Sequence, residues 1–73
     1  MRKSPELIAL GLAIRKRRHQ LGFSQEELAD RARLDRTYIG GLERGERNVG
    51  FRNLCKVSSA LRLSLSQLIR EAE

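Results

Sequence analysis

The sequence predicts a compact all-α bundle of five helices, and three observations carry that reading. Apolar residues recur at three- and four-residue steps, and no stretch alternates apolar and polar as a half-buried strand would. Ser24 and Ser64 each stand three residues before Glu27 and Gln67, ahead of apolar-periodic stretches, as in capping boxes. Only Phe23, Tyr38 and Phe51 are aromatic, so the core is built from Leu, Ile, Val and Ala, which suits packed helices. Seventy-three residues make one domain over 1–73, near the lower limit for a chain that closes its own core. A domain of that size does not readily enclose a deep substrate pocket, so binding is the expected role.

The first helix is expected to begin at Ser4, with Pro5 in the first helical position and Glu6 in the first turn. Leu7, Leu10, Ile14 and Leu21 form its inward stripe with Arg17 and Arg18 in the same register, and Gly22 ends it. Ser24 caps the second helix, and Phe23 just before it can staple onto Leu28. Leu28, Ala29 and Ala32 face inward, Ala29 being small enough to admit another helix. Arg33 and Leu34 make a short turn. Asp35 then caps a third helix that runs to about Arg44 and stops at Gly45, with Ile39 and Leu42 as its buried positions. Residues 46–50 form a polar loop anchored by Val49. A fourth helix spans about Phe51 to Leu61, with Phe51, Leu54, Val57 and Leu61 at core spacing. Ser64 opens a short fifth helix through Leu65, Leu68 and Ile69.

The net charge of +6 points to a polyanionic partner, nucleic acid first and an anionic membrane second; a solubilising surface is the bland alternative. Twelve arginines against three lysines favour phosphate and base-edge recognition, where a planar fork matters. Cys55 is the only cysteine, which excludes an internal disulfide or a Cys-based zinc site and suits a reducing cytoplasm. At an apolar helix position it reads as a small buried residue. His19 reads as exposed, without a metal partner. The start RKSPELIALGLAI is broken by Pro, Glu and Arg, so neither a signal peptide nor a membrane span is expected. No paired carboxylates, nucleophile–base set or metal cluster is legible. GLERG is too short, and too late in a helix, to cradle a nucleotide. The sequence implies no enzyme and no cofactor.

Helices two and three, over about 24–44, are joined by a turn of about three residues, the helix-turn-helix arrangement. Its second helix lies in the DNA major groove with its N-terminal residues at the base edges. With Ile39 and Leu42 inward, the opposite face presents Arg36, Thr37, Gly40, Gly41 and Arg44. Arg36 suits the O6 and N7 of guanine, and Thr37 offers a hydroxyl and a methyl. Tyr38, at the edge, either meets a phosphate or base or packs against the loop. Gln25 opens helix two, where free N–H groups favour a phosphate. Arg44, Arg47, Asn48 and Arg52 are placed to grip the backbone on the other side of the groove. Gly40 and Gly41 cost a helix about 2 kcal/mol together. On an exposed face they either let the backbone approach DNA closely or are merely tolerated.

The stretch RKRRHQLGFSQEELADRARLDRTYIGGLERGERNVGFRNLCKVSSALRLSLSQL resembles the phage-repressor (Cro/CI, XRE-type) helix-turn-helix family, in SQEELA, YI..LERG and the SAL…LSLSQL tail. The LDRTYI..LERGERN version on a short chain is similar to the controller proteins of restriction–modification systems. The resemblance implies a five-helix lambda-repressor-like domain and a homodimer on two-fold symmetric double-stranded DNA. It implies base reading from Arg36 and Thr37, with Tyr38 beside them. It implies phosphate contacts at Gln25, Arg47, Asn48 and the start of helix four. It also implies a structural ion pair between Arg18 and Glu43. Arg17 departs from the family pattern, often apolar there, so its stem is expected to pack and its head to reach water. Gly41 stands where many relatives place a base-reading side chain, which confines direct readout to the first turn.

Leu63, Leu65, Leu68 and Ile69 exceed what a small bundle needs to seal itself, and an apolar patch near a terminus often marks a partner surface. A two-fold interface over about 57–72 is therefore expected. RNA polymerase is a further partner if the regulator activates, with Glu26, Glu27 and Asp30 as candidate positions. An antitoxin-like interaction module that binds its own operator is the alternative function.

Overall fold

The computed structural model describes residues 4–73; the first three residues of the domain read over 1–73 lie outside the described residues. Five helices and no strand are found among them: α1 Pro5–Gln20, α2 Gln25–Ala32, α3 Arg36–Glu43, α4 Phe51–Ala60 and α5 Leu65–Ala72. Four of them begin where a side chain accepts from their free N–H groups, while α4, opened by Gly50, has no side-chain cap. Ser4 Oγ accepts from the Leu7 amide at 3.4 Å, and the Ser4 hydroxyl donates to Glu6 at 2.7 Å, which lowers the Glu6 carboxyl from its ordinary pKa. Ser24 and Glu27 exchange both bonds of a capping box, as do Ser64 and Gln67. Asp35 Oδ1 accepts from the Thr37 amide at 2.8 Å.

The turn between α2 and α3 is closed by the Arg33 and Leu34 amides, donating to Asp30 O at 3.2 Å and Ala29 O at 2.9 Å. Arg33 takes the left-handed conformation there, at φ 56°, and Arg62 does so after α4, at φ 59°. Glycine is the usual occupant of such a cap, and neither arginine signals it in the sequence.

Every helix sends at least one side chain to full burial: Ile14, Leu28, Ile39, Val57 and Leu68, with Leu61 capping α4. Burying one such side chain is worth about 1.5–3 kcal/mol. α1 packs on α3 and α5, α2 on α3 and α4, and α4 on α5. At Gly11, α1 lies directly against the end of α3. A Cβ there would lie 2.3 Å from Leu42 O and 2.6 Å from Glu43 O.

Four expectations are corrected. Phe51 is 73% exposed: it is the first residue of α4, which reaches the core only from Leu54 onward. Leu68 is 0% exposed and sealed in the core of its own chain, so it cannot serve as a contact surface. The Arg17 head does not simply reach water: its Nε donates to Leu61 O at 3.0 Å, satisfying a carbonyl at the end of α4. Cys55 is half-buried, not enclosed.

Candidate nucleic-acid interface

One buried polar cluster ties the α2–turn–α3 unit to α1. Arg18 and Glu43 are 8% and 7% exposed, and a buried charge is tolerated only when paired and hydrogen-bonded. Arg18 Nε donates to Glu43 Oε2 at 2.6 Å and Nη2 to Oε1 at 3.0 Å, a bidentate fork. Its Nη1 donates to Phe23 O at 2.9 Å. Gln25 Nε2 adds a third bond to Glu43, at 3.0 Å to Oε1. Four segments are thereby tied together: α1, the turn after it, the start of α2 and the end of α3. No buried side-chain polar atom lacks a partner among the described residues.

At the opposite end of α3 from that cluster, the first turn faces outward. Arg36 and Thr37 are exposed, while Ile39 and Leu42 are buried beneath them. Eight residues make a helix about 12 Å long, comparable to the width of the B-DNA major groove, about 12 Å. Tyr38 is half-buried against the core, so its ring packs. Its hydroxyl accepts from Asn53 Nδ2 at 3.3 Å, which leaves the phenolic proton available to an outside acceptor. Asn53 was not legible as a partner: it lies 15 positions away, in the first turn of another helix.

The residues expected at phosphates fall into two groups. Arg47, Asn48 and Arg52 are exposed. Arg44 is exposed too, but its Nε donates to Glu46 at 2.9 Å, an exposed pair that DNA can displace at small cost. Gln25 is half-buried and its amide is engaged with Glu43. What remains to it for a phosphate is the second amide N–H and its place at the N-terminus of α2. Phe23 carries a further link absent from the sequence reading: Arg31 lies over its ring at 4.3 Å and Arg62 at 5.9 Å.

Gly40 and Gly41 do not lie bare on the exposed face. Both are buried. A Cβ on Gly40 would meet Arg44 Nη1 at 3.1 Å and Gln25 Oε1 at 3.7 Å, and one on Gly41 would meet Arg47 Cγ at 2.7 Å. The helical spacing is as read; the long side chains folding back over the glycines are what it could not reveal.

A family model described as helix-turn-helix matches residues 14–68. The control protein C.MunI of Mycoplasma sp is 42% identical over 57 residues, which cover 78% of this chain and 77% of that protein. The crystal structure of the restriction-modification controller protein C.AhdI from Aeromonas hydrophila matches with a TM-score of 0.87 at 42% identity, covering 89% of this chain and 98% of that one. The controller protein C.Esp1396I, solved as a tetramer in complex with its natural 35 base-pair operator, matches with a TM-score of 0.84 at 36% identity, covering 96% of this chain and 94% of that one.

Proposed function

This chain belongs to the helix-turn-helix family of the restriction–modification controller proteins, and from that premise we propose that it is a dimeric, sequence-specific DNA-binding regulator of transcription serving such a system. The observation that carries the reading is the exposed pair Arg36 and Thr37 on the first turn of a helix whose far end is locked by Arg18 and Glu43. A rigid helix end holds a base-reading side chain in one register, which discrimination of about 1–3 kcal/mol per bidentate contact requires.

In this reading Arg36 reads guanine, Thr37 reads its neighbour, and Tyr38 donates its phenolic proton to a base or phosphate. The N-terminus of α2 at Gln25, together with Arg44, Arg47, Asn48 and Arg52, holds the sugar-phosphate backbone. The net charge of +6 supplies the salt-dependent share of affinity. Two copies meet through Leu63, Leu65 and Ile69, the members of the C-terminal apolar group that are half-buried or exposed in one chain. Of the acidic positions on α2 facing RNA polymerase, Glu27 is engaged in capping, which leaves Glu26 and Asp30. The protein works in the cytoplasm, beside its DNA; no described helix is long and apolar enough to cross a membrane.

Selection of bound sites from a pool of random duplex DNA tests the proposal. Enrichment of a two-fold symmetric site, with half-site centres about one helical turn apart, is the expected result. Failure to enrich any sequence above the starting pool overturns it.

A further inference from the structure

Gly41 is buried on a face of α3 that periodicity leaves to solvent, and the side chain lying nearest over it is that of Arg47. A Cβ at this position would lie 2.7 Å from Arg47 Cγ, 3.3 Å from Nε and 3.6 Å from Cδ. Arg47 follows α3 in the loop, yet its guanidinium carbon lies 6.0 Å from the centroid of the Tyr38 ring. Tyr38 and Gly41 are three residues apart, one above the other on a helix. The Arg47 stem therefore runs back along α3, through the notch at Gly41, toward the turn that carries Arg36 and Thr37.

We propose that Gly41 is a positioning residue for DNA recognition: its missing side chain is the seat on which the Arg47 stem lies, so that the guanidinium is presented beside the base-reading turn. This inference rests on the DNA-binding reading above and adds a residue to it. An arginine already laid in a groove loses less rotamer freedom on meeting a phosphate than one free in solvent. Any side chain at 41 fills the groove. The helix itself does not need the glycine, since alanine is the better helix former; the atom that must yield is Arg47 Cγ, near the root of its side chain, so the whole Arg47 stem has to leave the groove. The older explanation of such a glycine, direct approach of the helix backbone to DNA, predicts weaker binding on substitution as well. Only coupling to Arg47 separates the two.

The test is a double-mutant cycle with Gly41→Ala, Arg47→Ala and the pair, read by melting temperature and by binding to a duplex enriched from a random pool by the unaltered protein. Gly41→Ala is expected to stay folded, with a melting temperature close to that of the unaltered protein because the gain in helix propensity offsets the displacement of the Arg47 stem. It should bind about five- to tenfold more weakly at 0.1 M salt, with the salt slope shallower by about 0.9 for each bound copy. Arg47→Ala should do the same, and the pair should be no worse than Arg47→Ala alone. Loss of the folded state in Gly41→Ala, unchanged binding, or an undiminished loss in the Arg47→Ala background overturns the inference alone. Absence of binding by the unaltered protein overturns the DNA-binding reading, and the inference with it.

Discussion

Arg33 and Gly11 show how differently single positions of one small domain respond to substitution. Arg33 sits at φ 56°, a conformation that costs a non-glycine residue roughly 1–2 kcal/mol. Arg33→Gly relieves that strain against about 0.5–1 kcal/mol of extra chain entropy, so a small gain of about 0.5 kcal/mol is expected. Thermal denaturation checks it as a rise of about 2–4 °C for a domain this size. Gly11→Ala should move strongly the other way, because the new Cβ would meet Leu42 O and Glu43 O at 2.3 and 2.6 Å. Backbone cannot swing aside as an arginine stem can. A loss of about 3 kcal/mol, the upper range for overpacking, is expected in urea denaturation, despite the higher helix propensity of alanine. The sequence marks each glycine as a local cost. It cannot say which neighbour occupies the space, since Gly11 meets residues more than thirty positions away and Gly41 meets a loop side chain.

Among the elements, the capping chemistry was legible in the local pattern; of the long-range polar contacts, only the Arg18–Glu43 pair was anticipated, and that through the family resemblance. Ser24 with Glu27 and Ser64 with Gln67 are separated by three residues, so a local pattern identifies them. The bond from Arg17 to Leu61 O spans 44 positions, and nothing in the local pattern of either helix announces it. Phe51 was misplaced for a related reason: helical spacing gives a face, but not how far along the helix that face stays covered. The cluster of Arg18, Glu43 and Gln25 holds α1, α2 and α3 together, so it should dominate stability. Glu43→Ala leaves the Arg18 charge buried and unpaired, and should cost about 3–5 kcal/mol, measured by chemical denaturation. Replacing both, with Arg18→Met and Glu43→Leu, should recover most of that loss. Full recovery of DNA affinity is not expected, because Gln25 then loses its anchor beside the phosphate-facing end of α2.

For the whole molecule, size and surface decide how two copies meet an operator. The extents of 29 × 24 × 22 Å allow two touching copies to set their α3 helices about 34 Å apart, the spacing of successive major grooves on one side of B-DNA. Leu63, Leu65, Leu68 and Ile69 look alike in sequence, so their spacing alone could not say which of them face outward. The turn of α5 sends Leu68 inward at 0% exposure and Ile69 outward at 41%. Ile69→Glu should therefore leave the fold intact, produce a monomer in sedimentation, and weaken operator binding steeply. Leu68→Ala should instead destabilise the chain by about 2–5 kcal/mol. The central claim is that the first turn of α3 reads bases while the residues around it hold phosphates. Comparing the sites selected from random DNA by the unaltered protein and by Arg36→Ala tests it most directly. Loss of preference at one base pair in each half-site, with the rest of the site retained, is the expected result; a uniform fall in affinity with every preference intact would rule out base reading by Arg36.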